Sequence, residues 1–315
     1  MIPFVMMFPG QGSQSIGMLI NIAKFFPIIK QTFYEASEVL NYDLWKLTKR
    51  PSIKELNYAN KRQPVLLTSS VSIFRLWKQL GGPIPTMLVG HSLGEYSALV
   101  CSGTIPFSEA ISLVQVREKM MHEIALKDKG AMLIIIGLNQ DKIFHICKDS
   151  ARGQIVTPAN FNSPKQIVIS GHKEAVMRAG LACKKSGAKV LPLPINIASH
   201  CELLKPMAMD FAKELEEITI KVPQIPTLNN VDVKCESSPA KIRSALIRQL
   251  YSPVRWIECV EYIKKSGINI AIEVGPGKVL MGLTKRINSD LTIINLENNN
   301  NLSSIIKKLK RESLL

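Results

Sequence analysis

TMLVGHSLGEYSALVCSG, residues 86–103, decides how this chain folds. An apolar run, Met87-Leu88-Val89, ends on Gly90-His91-Ser92-Leu93-Gly94, and Tyr96, Leu99 and Val100 then recur at helical spacing. A strand that runs straight into a helix turns at one residue, which is held in a strained conformation with its side chain clear of the backbone. Glycines two places before and two after remove the Cβ atoms that would collide there. The pattern G-x-S-x-G by itself arises by chance in about one chain in ten of this length, so its flanks carry the reading. Strand, elbow and helix together put Ser92 at a helix N-terminus, where free N–H groups and the positive end of the dipole face charge developing on an acyl group. The bland alternative is an ordinary Gly-rich strand-to-helix turn.

Composition sets the outer bounds. With 315 residues, 46% of them hydrophobic, the chain can bury a sizeable core in one large domain or two unequal ones. The opening MIPFVMMFPG has no basic n-region and breaks at Pro9-Gly10, so it reads as a first buried strand, not a signal peptide. No run of 18 apolar residues occurs, and no membrane contact is expected. Six cysteines without a C-x-x-C pair suit reduced thiols in a cytoplasm; no metal site and no bound cofactor are expected.

The formal charge of +15 implies anionic partners. Nucleic acid is not the expected one, because the basic residues are dispersed, aromatics make up only 6%, and no nucleic-acid module is present. The densest cluster, Lys307, Lys308, Lys310 and Arg311, reads as the solvated face of a terminal helix. Coenzyme A thioesters and an acidic carrier protein fit a serine acyltransferase better.

From residue 130 the pattern reads strand (131–137), helix (141–150), strand (154–160), a turn at Asn162-Ser163-Pro164, strand (166–170), helix (173–186) and strand (188–193). That β-α-β-β-α-β order is the ferredoxin-like motif. Pro192 and Pro194 then punctuate the return to the main body. Strands at 3–8, 86–90, 225–229, 269–274 and 291–296 alternate with helical stretches, as in an α/β layer around a mostly parallel sheet. The expected fold is therefore a larger α/β-hydrolase-like domain, residues 1–128 and 196–315, with a smaller ferredoxin-like unit inserted at 129–195. The cleft is expected between the two, outside the carboxyl ends of the strands.

A serine needs a base. Of five histidines, His91 adjoins the nucleophile and cannot easily fold back onto it, while His122, His145 and His172 lie in or at helical patterns and read as structural or exposed. His200 ends INIASHC, where the chain re-enters the large domain, and is the candidate general base. Arg117 falls among buried spacings in ISLVQVREKMMHEIAL. A buried guanidinium needs a partner, which is either an internal acid or a substrate carboxylate held bidentately. FVMMFPGQGSQSIG imitates a dinucleotide-binding turn but has Ser15 where the third glycine belongs; the Gln11 N–H can instead supply half of an oxyanion hole. Gly275-Pro276-Gly277-Lys278 lacks the phosphate-loop spacing and reads as a strand-to-helix turn.

FPGQGSQ at 8–14, GHSLGEYSAL at 90–99, Arg117, NSP at 162–164, SHC at 199–201, NNVDV at 229–233, QLYSPVRW at 249–256 and EVGPGKVL at 273–280 together resemble the malonyl-CoA:acyl-carrier-protein transacylases of bacterial fatty acid synthesis. The resemblance runs through nearly the whole chain, in order. It implies that Ser92 is acylated, that His200 is the base, and that the backbone carbonyl of Gln249 orients the imidazole in place of an aspartate. It further implies that Arg117 holds the malonyl carboxylate, that the N–H groups of Gln11 and Leu93 form the oxyanion hole, and that Asn162, with His91, lies near the cleft. The implied substrates are malonyl-CoA and the phosphopantetheine thiol of an acidic acyl carrier protein, for a monomeric enzyme.

Lys165, Lys184, Lys185 and Lys189 on the inserted unit are the expected carrier contacts. Leu93 matches malonyl-selecting relatives among polyketide acyltransferases, whereas Ser199 before the base leaves more room than the phenylalanine often found in them, so methylmalonyl stays open. Two other classes stay open as well: a serine hydrolase with Ser, acid and His in chain order, and a carrier-binding protein without chemistry.

Overall fold

The computed structural model describes residues 2–15, 17–49, 61–127, 130–193, 198–296 and 302–311. Nine strands lie among them: β1 (Phe4–Phe8), β2 (Met87–Gly90), β3 (Gly130–Ile136), β4 (Val156–Ser163), β5 (Gln166–His172), β6 (Lys189–Pro192), β7 (Thr227–Leu228), β8 (Ile270–Glu273) and β9 (Thr292–Asn295). They form two sheets, one in the order β7-β2-β1-β8-β9 and one in the order β4-β5-β3-β6.

All four pairings of the first sheet are parallel. Parallel sheets are covered on both faces, and β1, FVMMF, is buried at all five positions. Side chains alternate across a strand, so Phe4, Met6 and Phe8 enter one core with the helix Arg62–Gln79, while Val5 and Met7 enter a second with the helix Trp256–Lys265. Two cores pin β1 at the centre of the sheet, which fixes its carboxyl end beside that of β2. Both chain exits used by the site leave from there.

The second sheet is antiparallel throughout and has the ferredoxin-like strand order. Leu133, Ile135, Ile167 and Ile169 point toward the helices Gln140–Ala151 and Lys173–Lys185 and form a separate core. The intervening residues Met132, Ile134 and Val168 face the cleft instead. The two units are tied by Val254, whose N–H donates to Ala159 O and whose carbonyl accepts from Phe161 N, both at 2.9 Å.

One local expectation is corrected. Asn162 and Ser163 were expected in a turn, yet β4 runs through Ser163 and only Pro164 and Lys165 connect it to β5. The ladder shifts register between Pro158 and Asn160 and again between Phe161 and Ser163. Such bulges absorb an extra residue without ending the strand, and this one sets Asn162 in the cleft wall. The boundaries expected at 128/129 and 195/196, and Pro194, lie outside the described residues. Lys307, Lys308 and Lys310 are exposed on the helix Leu302–Arg311, whose opposite face buries Leu302, Ile305, Ile306 and Leu309.

Candidate active site

β2 ends at Gly90 and the helix Leu93–Cys101 starts three residues later, leaving Ser92 at φ 53°, ψ −108°. A Cβ on Gly90 would collide with the backbone of Gly94, and one on Gly94 with the carbonyl of Phe8. The elbow therefore packs directly against the end of β1, and no other residue type fits at these two positions. The N–H of Leu93 opens the helix, and neither it nor the N–H of Gln11 has a hydrogen-bond partner among the described residues. Gln11 lines the same cavity as Ser92, in the turn that follows β1. Two unengaged donors beside a nucleophile are what an oxyanion requires.

Ser92 Oγ lies 2.7 Å from His200 Nε2, and His200 Nδ1 lies 2.7 Å from the Gln249 carbonyl oxygen. A carbonyl only accepts, so Nδ1 carries the hydrogen and Nε2 is left as the acceptor that can take the serine proton. His200 is itself held in the left-handed region, at φ 59°. Its N–H donates to Leu250 O in the large unit, and the Ser199 N–H donates to Ser170 Oγ on β5. Both units thus grip this histidine, and backbone strain at Ser92 and His200 is sustained only because surrounding contacts over-determine it. Burial, with the Arg117 charge adding to it, pushes the imidazole down to about 3. It stays neutral, with Nε2 free to accept a proton, throughout the neutral range. The orienting partner is a carbonyl and not an acid, which separates this arrangement from the Ser, acid, His order of hydrolases.

Arg117 is 1% exposed on the helix Phe107–Lys127. Its Nη1 donates to Gln63 Oε1 at 2.8 Å, and its Nη2 to Gln249 Oε1 at 3.2 Å and to Ser92 Oγ at 3.3 Å. The guanidinium carbon stands 5.2 Å from the Tyr96 ring centroid, and Nε has no partner among the described residues. No carboxylate pairs with it there within ion-pair distance. Of the two partners the sequence left open, no internal acid lies within ion-pair distance among the described residues, and a buried guanidinium whose direct partners are neutral can receive an anionic group.

His91 Nε2 sits 2.8 Å from Asn162 Oδ1, and its ring lies 5.4 Å from that of Trp256. Its Nε2 is engaged by Asn162, while the Ser92 hydroxyl pairs with His200. His172 accepts from the Ile155 N–H through Nδ1, a structural role. The cavity, about 360 Å³, is lined by Ser92, His200 and Gln11 together with the apolar side chains of Met132, Ile134, Val168 and Leu283. Among the described residues no group of three or more His, Cys, Asp or Glu side chains is arranged to hold a metal ion, and no helix is long and apolar enough to cross a membrane.

Four residues that touch this machinery escaped the sequence reading: Gln63, Glu95, Glu118 and Asn230. Glu118 accepts from Gln11 Nε2 at 3.2 Å and from Gln63 N at 2.8 Å. Asn230 Oδ1 accepts from Ser92 N at 2.8 Å. Burial raises both Glu95 and Glu118 to about 7. An acid in an otherwise apolar first turn was the available signal for Glu95, as was the position next to Arg117 for Glu118. Gln63 carries no local signal at all.

A profile of the acyl transferase domain family matches residues 5–313. The chain is 55% identical over 293 residues to the malonyl CoA-acyl carrier protein transacylase of Escherichia coli strain K12, covering 93% of this chain and 95% of that protein. It is 38% identical over 309 residues to the protein of that name from Bacillus subtilis, covering 98% and 97%. The crystal structure of an acyl carrier protein S-malonyltransferase from Vibrio cholerae superposes with a TM-score of 0.93 at 52% identity, over 96% of this chain and 99% of that one. A malonyl-transacylase solved in complex with a type II PKS acyl-carrier protein gives 0.95, also at 52% identity, over 97% and 99%.

Proposed function

The chain belongs to the acyl transferase domain family, and on that footing we propose how its residues act: a malonyl group passes from coenzyme A to Ser92 and from Ser92 to a carrier protein. The enzyme is an acyl-carrier-protein S-malonyltransferase. The single observation that carries the residue assignment is the 2.7 Å contact between Ser92 Oγ and an imidazole whose tautomer a carbonyl has fixed.

In the first half-reaction His200 Nε2 takes the Ser92 proton as Oγ attacks the thioester carbonyl. The N–H groups of Gln11 and Leu93 hold the oxyanion. When it collapses, the C–S bond breaks, His200 returns the proton to sulfur, and coenzyme A leaves as the thiol. In the second half the phosphopantetheine thiol of the carrier gives its proton to His200 and attacks the malonyl-Ser92 ester, and the proton goes back to Ser92 as the ester C–O bond breaks. The kinetics are ping-pong, with no bound cofactor or metal. The apolar walls of the cavity favour thiol attack over hydrolysis by limiting water at the ester.

The division into a catalytic domain, 1–128 and 196–315, and an inserted unit, 129–195, belongs to the same reading, as do monomeric state and a cytoplasmic location. The malonyl donor is malonyl-CoA and the acceptor an acidic carrier. Ile136 pairs with Gln166, which lines the cavity, and with Lys189, so the exposed Lys165, Lys184, Lys185 and Lys189 stand on the inserted unit, where an acidic partner is drawn in.

Incubation with malonyl-CoA alone, followed by intact-mass measurement, tests the covalent step: an adduct of about 86 Da is expected on Ser92, discharged by carrier protein and only slowly by water. A protein that turns over malonyl-CoA without this adduct sinks the scheme. Arg117→Ala should lower malonyl transfer by about ten- to a hundredfold and narrow the preference over acetyl-CoA, since a charge-assisted hydrogen bond contributes about 1.5–3 kcal/mol. An unchanged malonyl-to-acetyl ratio would remove that role.

A further inference from the structure

We propose that Glu95 is a positioning residue for the transfer: its buried carboxylate fixes which way the Gln249 side-chain amide faces, and through that amide holds Arg117. The inference rests on the functional reading above, in which Arg117 holds the malonyl carboxylate.

Gln249 is fully buried, so its amide has no water to satisfy it. Its Nε2 donates to Glu95 Oε2 at 2.8 Å and to the Ser92 carbonyl at 3.1 Å, while its Oε1 accepts from Arg117 Nη2 at 3.2 Å. The two ends of an amide have nearly the same shape, and only the chemistry of their neighbours selects an orientation. Glu95 is the charged acceptor on one side and Arg117 the obligate donor on the other. A charged acceptor selects the NH2 end more strongly than the single Ser92 carbonyl does alone.

A second contact extends the same control to the nucleophile. Glu95 Oε2 also accepts from the Asn230 N–H at 2.9 Å. Asn230 in turn accepts from Ser92 N through Oδ1 at 2.8 Å and donates through Nδ2 to Gly90 O at 2.7 Å. One carboxylate oxygen therefore ties the strained elbow to the arginine that faces it. Glu95 also supplies the negative charge that Arg117 lacks in direct contact, one amide away. Desolvation raises the carboxyl to about 7, and Gln249, Asn230 and Arg117 oppose that rise, so its ionised form depends on the groups it positions.

Glu95→Gln keeps the shape and removes the charge. The one amide oxygen must then accept from both Gln249 Nε2 and the Asn230 N–H with no charge behind it, so the preference for the Gln249 orientation that turns Oε1 to Arg117 weakens. With the whole enzyme and one carrier protein, kcat/KM for malonyl-CoA should fall about tenfold. The acetyl-CoA value should fall less, so that the malonyl-to-acetyl ratio drops at least about threefold. A residue that only stabilises the fold reduces the amount of active enzyme and scales both substrates alike, so an unchanged ratio overturns the proposal. Should Glu95→Gln yield no folded protein, the same ratio is read on Glu95→Asp, which withdraws the carboxylate by one methylene; a fall supports the proposal and an unchanged ratio overturns it. A wild-type enzyme that shows no malonyl preference, or forms no malonyl ester, refutes the functional reading instead, independently of Glu95.

Discussion

Ser92→Ala should slow malonyl transfer by at least about 10⁴-fold and abolish the covalent adduct, because the hydroxyl is both the attacking atom and the carrier between two thiols. The elbow itself should survive. Alanine is smaller than serine, the strained φ of 53° is imposed by packing of Gly90 and Gly94 against neighbouring backbone, and the Ser92 N–H to Asn230 bond does not involve the side chain. Folded, inactive protein is thus the expected product, with circular dichroism and melting temperature close to the parent. Some residual rate is also expected, since His200 and the two oxyanion donors can still assist direct attack of the carrier thiol on the thioester. Quantitative transfer at parental speed from the alanine variant would refute the covalent route outright.

His200→Ala should cost about 10²- to 10⁴-fold, the usual contribution of a positioned general base. The dependence of that loss on pH is the sharper test. An imidazole of ordinary pKa is largely protonated at pH 5.5, so the wild type would already have lost its base and the gap to the variant would shrink by about tenfold. Here burial and the Arg117 charge hold His200 at about 3. A lowered pKa means the neutral, working form persists as pH falls until values near 3. The ratio of wild-type to variant rate should therefore stay constant from pH 8 to pH 5.5. Glu95 and Glu118, raised to about 7, titrate in that window in both proteins, and what they change through Arg117 is common to the two and cancels in the ratio. A ratio that narrows near pH 6.5 would show that the imidazole is charged there and that the tautomer argument fails.

Much of the catalytic core was legible because its signals are local. The elbow needs glycine at two fixed offsets from one serine, and steric exclusion by adjacent backbone makes that demand visible in five letters. The apolar run from Ala131 to Ile136 similarly announces a strand, though only the structure shows Leu133 and Ile135 facing the helices and Met132 and Ile134 the cleft. The turn expected at Asn162 failed for a comparable reason in reverse. Asn-Ser-Pro is locally turn-forming, but the ladder with β5 and a bulge kept Asn162 and Ser163 paired.

The sequence by itself marked out an α/β enzyme with a serine at a strand-to-helix elbow, a candidate base at His200 and an arginine among buried positions, since burial periodicity and backbone strain are written within a few residues of where they act. Only the tertiary structure decided what that arginine and that base touch. Gln63 meets Arg117 across 54 positions, Asn230 meets Ser92 across 138, and Glu95 meets Gln249 across 154. Hydrogen bonds over such separations depend on how two cores stack on a shared sheet, and a polar residue carries no mark of its partner until packing has removed the water that would otherwise satisfy it.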